Sequence, residues 1–292
     1  MRQTQRVDYA RRIDAALRQL EACIASGEAP GLDRLAATAA LSPFHFHRVF
    51  RLMTGESVGA AITRIRLAHA LPALDAPTLE DATARSGYGT AQAFARALKD
   101  QTGNTPSALR VNRERRQQLA ALLSEPQATE ADPMPALKIT VASTAPLQLV
   151  AIRNVGDYRE LNRGYGQLFD RVLAQLPMEA VLGLYGLPHD DPRDTPAEQC
   201  RFDCALQLDA IAVTDEVLRT LHLAGGACLA MEHHGDYDQI HDALDLLYHC
   251  AIEQDLEIGA GPLYIHYLDD PEQVATPDLR AIAYLPVVAA CT

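Results

Sequence analysis

The chain has 292 residues, 48% of them apolar and 22% charged, and a net charge of −12. That length suggests two domains, and the composition excludes wholesale disorder and a fibrous repeat. No run of about 18 uninterrupted apolar residues exists, so no membrane span is expected, and the charged start MRQTQRVDYARRID lacks the apolar core of a signal peptide. The expectation is a cytoplasmic protein whose six cysteines are free thiols.

Charge divides the chain. Residues 1–125 hold 17 basic and 12 acidic side chains, a balance of +5, whereas residues 126–292 hold 9 basic and 26 acidic, a balance of −17. All but one of the first group of cations are Arg, whose two-pronged donor set matches phosphates and base edges. The acidic second part repels nucleic acid, so the split implies two jobs on one chain.

Taken in order, Leu32–Ala39 reads as a short helix and Ala40-Leu41 as a turn. Ser42 then N-caps a helix with Pro43 at its first position, FHFHRVFRLMTG, which ends at Gly55. Phe46, Val49 and Phe50 fall on the face expected to be buried, while Phe44, His47, Arg48 and Arg51 lie largely elsewhere. Helix, tight turn and a second helix with an Arg-bearing outer face is helix-turn-helix geometry. His45 and His47 do not face each other on a helix, so no metal site is expected there. Pro72 is expected to kink or end the helix that follows. The proline-rich, acidic stretch SEPQATEADPMP (Ser124–Pro135) cannot pack a core and reads as a linker.

Beyond the linker, short apolar runs alternate with helical stretches, as in an α+β domain. Gly156-Asp157-Tyr158 recurs as Gly235-Asp236-Tyr237, Tyr185 as Tyr264, Asp190-Asp191-Pro192 as Asp269-Asp270-Pro271, and Arg201 as Arg280, always at an offset of 79. Each half reads as strand, Gly-Asp-Tyr turn, helix, strand, Asp-Asp-Pro loop, strand. A pseudo-two-fold domain with a cleft between its halves follows, and such clefts are ligand sites. On the strand ACLAMEHH, Glu232 and His234 share one face and His233 points the other way. Cys200 and Cys204 read as buried apolar groups. No nucleophile elbow, phosphate loop or metal-protease motif occurs, so neither catalysis nor a cofactor nor a metal is expected.

The segments LSPFHFHRVFRLMTGES (Leu41–Ser57), RIRLAHAL (Arg64–Leu71) and SGYGTAQAFARALKDQTGNTPSALR (Ser86–Arg110) resemble the AraC/XylS family of bacterial transcription regulators. That resemblance implies two helix-turn-helix motifs joined by a long helix and reading successive major grooves of double-stranded promoter DNA. Carried over by position, the first recognition helix presents Phe44, His47 and Arg48, and the second presents Ala91, Gln92, Ala95 and Arg96. Arg48 and Arg96 suit guanine edges or phosphates, Gln92 suits adenine, and Arg51 and Lys99 suit phosphates. The sequence departs from the family at Ala40, where a turn glycine is usual, at Ala82-Thr83, where an isoleucine–alanine pair is usual, and at Leu98, where Phe is usual. The second recognition helix is poor in hydrogen-bonding side chains.

The region from about Leu137 to Val288 is similar to the GyrI-like effector-binding domain, through NVGDY, HHGDY, the paired DDP loops and GPLYIHYLDDP. The resemblance implies a pocket for a small organic effector, commonly cationic or amphipathic, with aromatic walls and a buried Glu. Tyr185, Tyr248, Tyr264 and Tyr267 are the wall candidates. Ile265 occupies the position assigned to that Glu, so the pocket is expected to be less selective for cations unless Glu232 or another acid takes over. The expected architecture is therefore an all-α double helix-turn-helix domain (1–123), a linker (124–136) and an α+β GyrI-like domain (137–292) with an internal repeat. It fits a regulator that senses a small molecule. The alternatives are a ligand-binding or hydrolytic GyrI-like module whose DNA-binding unit has decayed, or a protein-interaction module.

Overall fold

The computed structural model describes residues 5–29, 31–76, 78–84, 87–126 and 137–288. Two compact units divide the chain, one of them Asp8–Ala131, the other holding Asp132–Thr292. Most of the expected linker, residues 127–136, lies outside the described residues, as do Arg85, Ser86 and the side chain of Ala82.

The first unit is helical, as its sequence pattern requires. Among the described residues its helices are α1 (Gln5–Ser26), α2 (Leu32–Thr38), α3 (Pro43–Thr54), α4 (Val58–Ala73), α5 (Leu79–Ala84), α6 (Ala91–Thr102), α7 (Pro106–Val111) and α8 (Arg113–Leu123). The two expected helix-turn-helix units are α2–α3 and α5–α6, and α4 joins them. Their second helices begin and end alike. Ser42 Oγ accepts from the His45 N–H at 3.2 Å, and Thr90 Oγ1 accepts from the Ala93 N–H at 3.1 Å, each filling an otherwise orphaned helix donor. Both helices stop at a left-handed glycine, Gly55 (φ 76°) and Gly103 (φ 69°). The first turn needs the same backbone region at Ala40, which sits at φ 53° without glycine's freedom.

α4 stops one residue beyond Pro72, at Ala73. Arg110 from α7 then donates to the Leu74 and Ala76 carbonyls at 3.2 and 2.7 Å, satisfying acceptors beyond the helix end. Leu67, Ala70, Leu71 and Leu74 pack with Phe94 and Leu98 of α6, Leu109 of α7 and Leu119 and Leu123 of α8. Leu98 is fully buried there, so the smaller side chain is accommodated by the packing around it.

The second unit is one antiparallel sheet carrying helices. Its strands are β1 (Ile139–Thr144), β2 (Leu147–Val155), β3 (Val181–Pro188), β4 (Arg201–Leu208), β5 (Leu218–Leu223), β6 (Gly226–His234), β7 (Glu257–Ile258), β8 (Tyr264–Tyr267) and β9 (Arg280–Val288). The order across the sheet is β1-β6-β9-β8-β3-β4-β2-β5, with β7 on β9. Helix α9 (Leu161–Leu173) belongs to the first half; the long helix expected in the second is broken into α10 (Ile240–Ala243) and α11 (Asp245–Glu253).

The 79-residue offset is structural. β1, β2 and β4 recur 79 residues on as β5, β6 and β9. The repeated residues make the same tie twice. Tyr158 Oη lies 3.0 and 2.6 Å from the Asp190 and Arg201 carbonyls, and Tyr237 Oη lies 3.0 and 2.8 Å from those of Asp269 and Arg280. Arg201 clamps Asp190, and Arg280 clamps Asp269, by the same two-pronged contact at 2.8–2.9 Å. The halves also exchange a strand, which their sequences do not announce. β1 leads into β2 but pairs with β6; β5 leads into β6 but pairs with β2. At the centre β3 meets β8, with Tyr185 opposite His266 and Gly186 opposite Ile265.

Candidate nucleic-acid interface and ligand face

On α6, Phe94 and Leu98 are buried, while Gln92, Arg96 and Lys99 are exposed at helical spacing on the opposite side. Thr90, Gln92, Ala93, Arg96, Ala97 and Asp100 line an open groove there. Arg96 lies 3.7 Å from Asp100, but both are strongly exposed, so the pair holds the guanidinium weakly and leaves it able to reach a phosphate or base.

On α3 the structure differs from the sequence expectation. Phe44 through Phe50 are all buried, and Phe44, His47 and Arg48, expected on an outer face, are 7%, 5% and 1% exposed. The Arg48 guanidinium lies over the Phe44 ring, 5.0 Å from its centroid. His47 and Arg48 share the side of α3 opposite Phe46, Val49 and Phe50, so their burial comes from structure packed over that side and not from the pattern of the helix itself. Arg51 is half-buried.

The Glu56–Arg64 pair holds α3 and α4 in place. Arg64 Nε lies 3.1 and 3.0 Å from the two Glu56 oxygens, its Nη2 lies 2.6 Å from Oε1, and its Nη1 donates to the Leu123 carbonyl of α8 at 2.9 Å. Both side chains are buried.

In the second unit, strand alternation sorts the candidate ligand residues onto two faces of the sheet. Tyr185 and Tyr264 share one. The Tyr185 ring stacks on His266 with centroids 4.4 Å apart and planes 6° from parallel, and Tyr264 stacks on Tyr284 at 4.9 Å. Tyr185 Oη lies 3.2 Å from Gln207 Oε1. Burial lowers the His266 pKa, which favours the neutral ring, and raises that of Tyr264 to about 12, so its phenol stays protonated. Cross-strand register sets Glu232, Ile282, His266, Tyr185, Ala205, Ala151 and Arg219 in one row over this face. Glu232 is ion-paired to Lys138 at 2.7 Å.

Ile265 and Tyr267 point to the opposite, helix-covered face. Tyr267 packs edge-on against Tyr165 of α9, and Tyr248 of α11 is fully buried. The four candidate tyrosines therefore do not form one wall. Ile265 does not stand beside Tyr185 and Tyr264, so its lack of charge is not felt on their face. Cys200 and Cys204 are buried, and burial drives their thiol pKa values up to about 11 and 12. Among the described residues no three His, Cys, Asp or Glu side chains cluster as metal ligands would.

One group on the Tyr185 face escaped the sequence reading. Asp203 of β4, 1% exposed, receives Arg153 of β2, Arg219 of β5 and His189. Arg153 contacts it through both Nε and Nη2, Arg219 through Nη2, and His189 Nε2 at 2.7 Å. Burial alone would raise this carboxyl; the hydrogen bonds and charges of His189 and Arg153 outweigh that and hold it down at about 2. The available signal was the repeat itself. At an offset of 79, Arg153 stands against Glu232 and Asp203 against Ile282, so the halves differ in charge where their backbones agree.

Comparison with known proteins fits both units. A GyrI-like small molecule binding domain model matches residues 138–288, and a helix-turn-helix domain model matches residues 35–112. The chain is 37% identical over 87 residues to the HTH-type transcriptional regulator Rv1931c of Mycobacterium tuberculosis, covering 29% of this chain and 34% of that protein. It is 35% identical over 85 residues to the transcriptional regulator Rob of Salmonella typhimurium, covering 28% and 29%. The chain thus spans about a third of the length of these relatives. Among solved structures, the EcmrR–DNA complex aligns over 88% of this chain and 98% of that one, at 10% identity and a TM-score of 0.46. No helix among the described residues is long and apolar enough to cross a membrane. With more than half its length matched, the chain belongs to the GyrI-like small-molecule-binding family and carries a helix-turn-helix domain ahead of that domain.

Proposed function

We propose that the chain is a one-component, cytoplasmic regulator that binds double-stranded promoter DNA through α3 and α6 and a small organic effector on the Tyr185–Tyr264 face. The observation that carries this reading is the pair of capped second helices flanking α4, in one chain with a symmetric aromatic sheet. On α6, Gln92 and Arg96 read bases and Lys99 holds phosphate. On α3, Phe44, His47 and Arg48 must be uncovered before they meet DNA, and Arg51 contacts phosphate. The effector changes DNA affinity only by the difference in its own affinity for the two states of the protein. Binding is favoured over hydrolysis on this face because Glu232 is held by Lys138 and Asp203 by two arginines. Asp203, enclosed and with its pKa held down at about 2, is a poor base for water.

The test is fluorescence anisotropy of the full chain on DNA from upstream of its own gene, against scrambled DNA, from about 50 to 200 mM salt. A preference for the upstream DNA that survives the higher salt supports the reading. Arg48→Ala and Arg96→Ala each weaken binding to that DNA about tenfold or more and narrow the preference, while Lys99→Ala weakens both DNAs alike and lowers the salt slope by about one. Equal, salt-labile binding to both DNAs would leave only a basic helical bundle beside a ligand domain.

A further inference from the structure

The Asp203 cluster is larger than the fold requires. In the other half of the repeat, the positions of Arg153, His189, Asp203 and Arg219 are held by Glu232, Leu268, Ile282 and Thr140. Strands β1, β6 and β9 keep the same antiparallel register there without any of the four charges or hydrogen bonds. The cluster is also out of balance. Two guanidiniums and an imidazole converge on one carboxylate, within a domain that is otherwise strongly acidic. Asp203 is completely enclosed, whereas the Arg153 and Arg219 side chains remain 32% and 37% exposed. The Arg219 Nε is buried with no acceptor among the described residues, and such a donor costs free energy until an acceptor reaches it.

The position of the cluster indicates what that acceptor belongs to. Asp203 pairs across the strands with Arg153 and Leu187, one same-face row from Tyr185 and Ala205. Same-face rows are about 7 Å apart along a strand, a distance spanned by an aromatic ring and its substituent. Glu232 lies at the far end of the row and is ion-paired to Lys138. A cationic ligand beside Tyr185 would therefore meet two guanidiniums whose one shared carboxylate is enclosed and already engaged.

Building on the reading of the Tyr185 face as the effector site, we propose that Arg219 and Arg153 bind the carboxylate of an aromatic acid whose ring lies against the Tyr185–His266 stack. The effector is then an anion, although the family resemblance points to cations. The part-exposed Arg219 guanidinium, which gives Asp203 only its Nη2, supplies the donors. Asp203 sets the orientation of both guanidiniums and limits their net charge to one unit above neutrality.

The test is calorimetric titration of the full chain with three probes of one shape, naphthoate, naphthamide and naphthylmethylammonium. Naphthoate should bind about ten- to a hundredfold more tightly than the amide, the range of a charge-assisted hydrogen bond, and the ammonium most weakly. Arg219→Gln should remove most of the preference for the acid, while the amide, which loses only a contact to a neutral acceptor, weakens far less. Asp203→Asn, which keeps the side-chain shape and releases both arginines, should tighten naphthoate several-fold, so the proposal does not depend on one variant folding. Binding of the amide and ammonium at or above the affinity of the acid, or an acid preference that survives in a folded Arg219→Gln, overturns the proposal and leaves the effector face standing. If none of the three binds, the effector face itself is refuted and the proposal with it.

Discussion

Replacing Arg64 by Met removes four hydrogen bonds from the centre of the helical unit while keeping most of the side-chain volume. Two orphans remain: the Glu56 carboxylate, 4% exposed, and the Leu123 carbonyl that accepted from Nη1 at 2.9 Å. An unpaired buried charge costs about 3–5 kcal/mol, and the lost carbonyl bond about 1 kcal/mol more. The expected loss is therefore about 4–6 kcal/mol, a large share of the ~5–15 kcal/mol typical of a domain. The double variant Arg64→Met with Glu56→Leu removes the orphaned charge and should recover all but ~1 kcal/mol. A single melting curve would mix the two units, so the readout is hydrogen exchange of α4 and α8 peptides in the full chain, which reports opening of each region separately. Two results would refute the reasoning. If exchange in Arg64→Met stays within ~1 kcal/mol of the parent, the pair does not hold α4 to α8. If the double variant is as damaged as the single, the ion pair itself stabilises the fold and the cost is not that of a stranded carboxylate.

Three further predictions follow from local geometry. Ala40→Gly should stabilise the helical unit by about 0.5–1 kcal/mol, because a left-handed residue with a Cβ costs about 1–2 kcal/mol and glycine's extra chain entropy returns part of that; a lowered exchange stability around α2 and α3 would contradict it. Gly186→Ala should cost about 1–3 kcal/mol, since the added Cβ would lie 2.4 Å from Phe202 Cζ and 3.0 Å from Tyr165 Oη, and trimming Phe202 to Leu in the same chain should return part of the loss. For acid sensitivity the signs are worked from two groups. Asp203 titrates at about 2 in the fold against 3.8 ordinarily, so its contribution of about 2 kcal/mol is complete above about pH 4 and is lost as pH falls toward 2. The His266 pKa is depressed by burial, so its contribution is complete above about pH 6.5 and shrinks as pH falls below that value. Urea midpoints of the sheet unit should therefore fall in two stages on acidification, with the upper stage absent in His266→Phe and the lower reduced in Asp203→Asn, where Asp190 and Asp269, held down by the hydrogen bonds of Arg201 and Arg280, still titrate.

The parts of this molecule legible in the sequence are those whose chemistry is local. Ser42 and Pro43 before an apolar run, and Gly55 after it, bounded α3 to the residue because caps act within one turn. The 79-residue repeat was visible because Tyr158, Asp190 and Arg201 make a tie that tolerates little substitution, and the same tie is made again by Tyr237, Asp269 and Arg280. What remained hidden depends on register and on surfaces far apart in the chain. Alternation in Tyr264-Ile265-His266-Tyr267 was enough to separate Tyr264 from Tyr267, yet which face joins Tyr185 follows only from the pairing of β3 with β8. The exchange of β1 and β5 between the halves, and the meeting of Arg153, Asp203 and Arg219 on three adjacent strands, leave no mark at any one position, because each residue alone reads as an ordinary surface charge. The break in the repeat is what singles them out. Where two halves share a backbone, an identical residue marks what the fold needs twice, and a residue that changes charge marks what one half does alone. By that criterion Tyr185 and Tyr264 belong to the symmetric framework of the sheet, and Arg153, Asp203 and Arg219 to what its first half does alone.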